Sequence, residues 1–268
     1  MRVIGGEKNP MNSASAPILS STDGAVTTVT LNRPDKRNAL NTDLLGQLCA
    51  AVAAAEANAT QRILVLRGAG PVFCSGLDLD EAAQPGRAHA SADLIAQALR
   101  TLAGTRLITI AAVQGAAIAG GAGLMTACDF AVATRDAKFG YPEVRRGLVP
   151  ALIMTFLRRQ LRERDARELL LLGKLFDATH ARAIGLVNRV VADEAALATE
   201  VSSLVSSLLQ GGPEAVAETK KLLAELWPAS VPADLERALA FHLGARNSAE
   251  AKEGVAAFKE KRAPKWAP

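Results

Sequence analysis

Two glycine-bearing segments offer main-chain N–H groups to a substrate: Phe73-Cys74-Ser75-Gly76-Leu77-Asp78 and Ala117-Ile118-Ala119-Gly120-Gly121-Ala122-Gly123. Each reads as a turn leading into the start of a helix. A helix start leaves unpaired N–H groups at the positive end of its dipole, which favours developing negative charge. Small residues there let a carbonyl come close to the backbone. Two such corners brought together would form an oxyanion hole, which stabilises a carbonyl oxygen as it gains charge. The same glycines would equally serve tight packing of strand against helix, and spacing alone leaves both uses open.

Other chemistries find less support. Gly-x-Ser-x-Gly and the Walker phosphate loop are absent, and Gly115-x4-Gly120-Gly121 lacks the Lys-Ser/Thr of a nucleotide site. There is no His-x-x-x-His pair and no acidic calcium loop. His89, His180 and His242 each stand alone, outside any nucleophile motif. A solitary histidine is more often exposed or structural than catalytic. Neither a metal nor a serine triad is expected. Cys49, Cys74 and Cys128 have neither the pairing nor the short spacing of a disulfide frame or zinc site, which points to a reduced, cytoplasmic compartment.

The elements that must position the two corners follow from pattern. Ala25–Asn32 is β-branched and reads as a strand ended by Arg33-Pro34-Asp35; Thr42 can cap an amphipathic helix to about Asn58. Ile63–Arg67 is a short buried strand, Gln84–Ser91 a mobile surface loop, and Ala92 to about Ala103 a helix. Leu107–Cys128 carries no charge and is long enough to span a bilayer, but Gln114-Gly115 and the glycines after it break the run. A buried strand (Leu107–Val113), a glycine-rich turn and a buried helix are the better reading, with Phe130–Thr134 as the next strand. Helices are then expected at Leu152–Leu172, Asp177–Ile184, Glu194–Leu209, Pro213–Leu226, Ala233–Ala245 and Ala249–Lys261, interrupted by a strand-like Gly185–Val191. Strand–helix alternation followed by helices alone implies an α/β core with a helical C-terminal part. The division is drawn as a loose extension at 1–15, a core at 16–205 and a helical part at 206–268.

Composition agrees with a folded, non-membrane chain. Of 268 residues 49% are apolar and 22% charged, and 31 Lys and Arg against 27 Asp and Glu give a formal charge of +4. That is too little for a general nucleic-acid binder, and one Tyr, two Trp and seven Phe leave little for stacking bases.

Six segments in order resemble the enoyl-CoA hydratase/isomerase (crotonase) superfamily over about residues 18 to 266. They are Asn32-Arg33-Pro34 with Asn38-Ala39-Leu40; Phe73 to Leu79; Ala111-Ala112-Val113-Gln114-Gly115 through Gly120-Gly121 and Ala127-Cys128-Asp129; Phe139-Gly140-Tyr141-Pro142-Glu143; Ala183 to Asn188; and Phe258-Lys259-Glu260-Lys261-Arg262. The resemblance implies a spiral of ββα units with a helical C-terminal part making trimer contacts, as a homotrimer or a dimer of trimers. It implies an acyl-CoA thioester as substrate, with no separate cofactor. The backbone N–H groups of Leu77 and Gly120 would then form the oxyanion hole, and Glu143 would act as acid and base. Lys36, Arg37, Ala39, Ser75, Leu77, Leu79 and Lys261 would hold the CoA moiety. The dense series Arg145, Arg146, Arg158, Arg159, Arg162, Arg164 and Arg167 reads instead as a solvated surface or subunit contact.

One departure bears on mechanism. Typical hydratases of the family carry a second glutamate in the central helix, where this chain has Gly123, and Ala151-Leu152-Ile153 stands where Gly-Ala-Gly is usual. Glu143 alone can move a proton from one carbon to another, as an isomerase requires; hydration usually uses both carboxylates. The segment from Tyr141 to Ala151 nevertheless resembles a bacterial hydratase branch that also has Gly at the first position. Hydration of a 2-enoyl-CoA is therefore the expected reaction. A 3-enoyl to 2-enoyl isomerase and a catalytically silent acyl-CoA-binding protein are the alternatives. If the missing carboxylate limits the rate, Gly123→Glu is expected to raise hydration.

Overall fold

A computed structural model describes residues 16–84, 87–226 and 231–265. The expected extension at 1–15 lies outside the described residues. The chain begins with a hairpin, β1 (Ile18–Asp23) and β2 (Val26–Leu31), followed by α1 (Thr42–Ala57). Next come β3 (Ile63–Gly68), α2 (Leu79–Ala82), α3 (Arg87–Gly104), β4 (Ile108–Val113), β5 (Ala116–Ile118) and α4 (Gly120–Thr126). β6 (Phe130–Thr134) and β7 (Lys138–Gly140) lead through a 3-10 turn at Pro142–Arg146 into α5 (Ala151–Gln160) and α6 (Glu163–Leu172). β8 (Leu175–Asp177), α7 (Ala178–Ala183), β9 (Arg189–Val191), α8 (Glu194–Leu209), α9 (Pro213–Leu226), α10 (Val231–Arg246) and α11 (Ala249–Lys259) complete it.

Two sheets result. The larger runs β1-β2-β3-β4-β6-β9, parallel except for the first hairpin; the smaller runs β5-β7-β8. The turns β4, β5, α4 and β6, β7, α5 each place one strand in each sheet and then a helix. The 73–78 corner joins the smaller sheet through a parallel bridge between Cys74 and Ala117. This is the spiral of strand–strand–helix units expected from the sequence.

β4 is buried throughout and β3 at every residue but Arg67, so they read as mostly apolar runs rather than as alternating ones. Alternation sorts their side chains between two cores. Leu64, Leu66, Ala111 and Val113 pack in the cluster that includes α1, α3 and α4, while Ile63, Val65, Ile108, Ile110 and Ala112 meet Leu197 and Leu204 of α8. α8 thus belongs to the sheet packing, and it runs straight through the 205/206 division.

Several local expectations need correction. Thr42 does not cap α1: Asn41 does, its Oδ1 accepting from Leu44 N, while Thr42 gives both N–H and Oγ1–H to Glu81. A carboxylate far along the chain outcompeted the local cap. Residues 87–91, expected in a loop, already belong to α3, although part of that expected loop (85–86) lies outside the described residues. The single helix expected at 152–172 is two, because Leu161 is extended (φ −110, ψ 151) and Arg162 caps the second. No glycine or proline marks that break. β1 was not expected; it is an edge strand with one buried residue, Ile18, and so lacks an apolar alternation.

Candidate active site

Asn38 ties the first two motifs together. Buried and left-handed (φ 55), it gives its Nδ2 to the carbonyls of Ala69, Val72 and Phe73, and accepts at Oδ1 from Arg33 N. The 73–78 corner is thereby pinned beside Leu40. Leu40 N–H donates to Gly76 O, and Asp78 N–H donates to Leu40 O. In such a parallel bridge the intervening Leu77 N–H must point to the opposite side.

That side faces the beginning of α4. A Cβ on Gly76 (φ 93) would lie 2.9 Å from Ile118 O and 3.0 Å from Ala119 Cβ, so only glycine allows this approach. A Cβ on Gly120 would lie 3.9 Å from Leu77 N. The two corners therefore meet. Among the described residues neither the Leu77 nor the Gly120 N–H makes a hydrogen bond to the protein, and both residues line one cleft. Ala119, just before α4, is held at φ 49, and its N–H is anchored to Gly140 O. A non-glycine residue at positive φ is uncommon, and here neighbouring strands enforce it. Tight packing is also real: a Cβ on Gly121 would fall 2.5 Å from Cys74 O. The glycines serve both uses.

Glu143 lies in the 3-10 turn at Pro142–Arg146, started by Pro142 and closed by Gly147 in the left-handed region (φ 67). It lines the same cleft, of about 750 Å³. Its side chain is buried (9% exposed for the residue), and Oε2 has no partner. It forms no salt bridge with Arg145 or Arg146. Burial pushes its carboxyl up from 4.5 to about 7, against smaller opposing pulls from its own backbone and from Arg146. It is thus poised to take and return protons near neutral pH.

This shift carries a stability prediction. The folded-state pKa is raised, so the folded chain binds the extra proton, and stability falls as pH rises from about 4.3 through about 7. Above about pH 8 the cost approaches about 3 kcal/mol. Glu143→Gln should match the wild type in urea denaturation near pH 4 and exceed it near pH 8. Parallel pH profiles would mean that the carboxylate is solvated.

Gly123 lies on the buried side of α4. A Cβ there would stand 2.9 Å from Ile153 Cγ1 and 3.7 Å from Leu99 Cδ2. The position that could carry a second carboxylate is closed by Ile153, which itself lines the cleft. The expectation that Gly123→Glu alone would supply the missing group is therefore corrected: there is no room for it.

Lys36, Arg37, Ala39, Ser75, Leu77 and Leu79 all line the cleft, together with Gly120. Lys261 is not among its lining residues; Lys259 and Arg262 are. Lys259 Nζ is 3.2 Å from Asp80 Oδ1, and Arg262 is held by Glu253 and Glu260. Nor are Arg145 and Arg146 mere surface. Both line the cleft, with Arg146 stacked 4.2 Å from the centre of the Phe258 ring. His89 pairs with Asp93 on the surface, His180 sets its edge against Phe176, and His242 lines the cleft. No sequence motif marked His242; its place follows from how α10 packs.

Among the described residues there is no group of three or more His, Cys, Asp or Glu that could hold a metal ion, and no helix long and apolar enough to cross a membrane.

A strand–strand–helix spiral with two unpaired main-chain N–H groups and a buried carboxyl lining one cleft defines the class of protein. A family model described as enoyl-CoA hydratase/isomerase matches residues 21–268. The chain is 35% identical over 246 residues to an enoyl-CoA hydratase of Mycobacterium tuberculosis, covering 89% of this chain and 91% of that one. Among solved structures it resembles an enoyl-CoA hydratase from Mycobacterium avium (TM-score 0.84, 34% identity, covering 94% of this chain and 100% of that one). An enoyl-CoA hydratase from Mycobacterium smegmatis is similar too (TM-score 0.76, 35% identity, covering 94% and 99%). The chain belongs to the enoyl-CoA hydratase/isomerase family and has its crotonase fold.

Proposed function

We propose that this protein is an enoyl-CoA hydratase that adds water across the C2–C3 bond of a 2-enoyl-CoA thioester. The observation that carries the reading is the convergence of two unpaired main-chain N–H groups, Leu77 and Gly120, on the cleft that holds Glu143. The thioester oxygen accepts hydrogen bonds from both N–H groups. As hydroxide character adds to C3, charge collects on that oxygen as an enolate; losing one such donor costs ~3–4 kcal/mol of transition-state stabilisation. The ionised Glu143 takes a proton from water as its oxygen bonds C3. The protonated Glu143 then delivers that proton to C2, collapsing the enolate. One carboxyl thus serves both transfers, and the atoms of one water are accounted for.

Lys36 and Arg37 give the cleft a positive rim suited to the CoA phosphates, and Ala39, Ser75, Leu77 and Leu79 supply main chain for the adenine and pantetheine. CoA enters as part of the substrate, and no further cofactor is needed.

Isomerisation of a 3-enoyl-CoA to the 2-enoyl form is the second reading, favoured by one observation: Ile153 occupies the place of a second carboxylate. Crotonyl-CoA and 3-hexenoyl-CoA separate the readings. Hydration yields a 3-hydroxyacyl-CoA from the first, whereas an isomerase yields 2-hexenoyl-CoA from the second and leaves crotonyl-CoA untouched. Binding of both without turnover would mean a silent acyl-CoA-binding protein and would overturn the proposal. The same proposal includes a homotrimer or dimer of trimers in the cytoplasm. Exposed Leu222 and Leu223 on α9 and Phe241 on α10 support subunit contacts through the helical part. Sedimentation at a single-chain mass would refute that arrangement.

A further inference from the structure

Three carboxylates line the cleft among the described residues: Glu143, Asp80 and Asp78. Asp80 is exposed and faces Lys259. Asp78 follows Leu77 directly, and its side chain is only 13% exposed. It is fully engaged. Its Oδ1 accepts from Asp80 N and Glu81 N at the start of α2, and its Oδ2 accepts from Arg33 Nη2 at 3.0 Å. The other arm of the same guanidinium, Nη1, donates to Ala39 O at 2.5 Å. Arg33 itself is not among the residues lining the cleft.

The place of that fork matters. Ala39 precedes Leu40 and Asp78 follows Leu77, so Arg33 grips both chains beside the bridge that aims the Leu77 N–H. The bridge is isolated rather than part of a strand pair, and rests on Leu40 N–H donating to Gly76 O and Asp78 N–H donating to Leu40 O. Gly120, by contrast, opens a helix buried at every residue. The base of the grip is fixed too: Arg33 N donates to Asn38 Oδ1, and Arg33 O accepts from Lys36 N and Asn38 N. A guanidinium presents its donors in a rigid planar fork, so two bonds to different chains set their separation. An oxyanion hole works only when its donors already stand at hydrogen-bond distance from the charged oxygen.

We infer that Arg33 is a positioning residue for the hole: by gripping Ala39 O and Asp78 together it fixes the Leu77 N–H toward the thioester oxygen. Asp78 anchors that grip and does not replace the carboxylate missing at Gly123. The inference rests on the acyl-CoA reading of the two N–H groups, but not on which reaction Glu143 then performs.

The test uses the intact protein with Arg33→Lys, Arg33→Met, Asp78→Asn, and the last two combined. Arg33→Met alone strands a buried carboxylate and should lower Tm. Adding Asp78→Asn removes that charge while keeping an acceptor for the start of α2, so the double variant should regain most of the lost Tm. Its kcat on crotonyl-CoA should still fall by about tenfold to a hundredfold, while the dissociation constant of CoA, which has no thioester oxygen, stays within about twofold. Arg33→Lys keeps the charge but cannot span both acceptors, so it should lose kcat in part. Infrared difference spectra of bound butanoyl-CoA, isotopically labelled at the thioester carbonyl, read the hole without turnover. Hydrogen bonds from the hole lower the carbonyl stretch, and the double variant at full occupancy should show less of that shift. Partial unfolding alone would leave the shift of the bound ester unchanged.

Wild-type kcat with an undiminished carbonyl shift in either folded variant overturns the inference. So does a large loss of kcat in Asp78→Asn with Arg33→Met near wild type, which would make Asp78 itself a catalytic group. If the wild type does not turn over crotonyl-CoA, yet its carbonyl shift is present and falls in the double variant, the hydratase reading fails and the role of Arg33 stands. No carbonyl shift in the wild type refutes the hole and the inference together.

Discussion

Glu143→Gln should lower turnover of crotonyl-CoA by about a hundredfold to ten-thousandfold while leaving the affinity for a saturated CoA ester essentially unchanged. The amide matches the carboxyl in shape, and its site is buried without an ion pair, so the fold has no reason to change. What the amide cannot do is accept a proton from water or return one to C2. The pH profile gives an independent reading of the same group. Addition requires the ionised form, so wild-type turnover should rise as pH passes through about 7 and then level off, as the raised Glu143 value dictates. Near-wild-type turnover in the glutamine variant would remove Glu143 from the chemistry. A rate flat from about pH 5 to pH 8 would do the same.

Gly123→Glu should destabilise the protein rather than improve it. Its first side-chain atom would already stand 2.9 Å from Ile153 Cγ1, and the rest would enter a wall shared with Leu99. Overfilling a packed core costs ~1–3 kcal/mol, and burying an unpaired carboxylate adds to that. A fall in Tm of about 10 °C or more is expected. Pairing it with Ile153→Ala removes the obstructing atoms. The double variant should recover part of the lost Tm and hydrate crotonyl-CoA faster than the wild type, because the second carboxylate then has space beside the substrate. A single variant with wild-type Tm would show that Ile153 does not close the position. A double variant that is folded but no faster would show that one carboxyl suffices.

These two positions illustrate what the sequence can and cannot disclose. The glycine corners and Glu143 were legible because each depends on short segments whose order along the chain is distinctive. Even so, spacing could not choose between packing and donor exposure; the geometry shows that Gly121 packs against Cys74 while Gly120 carries an unpaired N–H. The contact of Gly123 with Ile153 was not legible, since those residues meet only when α5 folds onto α4. His242 was likewise hidden: a solitary histidine has no pattern, and its place in the cleft lining follows from how α10 packs on α3 and α5. Local rules failed where a distant partner intervened. Asn41 rather than Thr42 caps α1 because Glu81, far along the chain, engages Thr42. The break at Leu161 carries no glycine or proline, so apolar periodicity ran straight across it.

A crystal structure with a saturated acyl-CoA, such as butanoyl-CoA, tests the central claim most directly. The thioester oxygen should sit about 2.7–3.1 Å from both Leu77 N and Gly120 N, with the Glu143 carboxyl facing C2 and C3. An oxygen bound away from either amide, or a Glu143 carboxyl turned away from the acyl carbons, would contradict it.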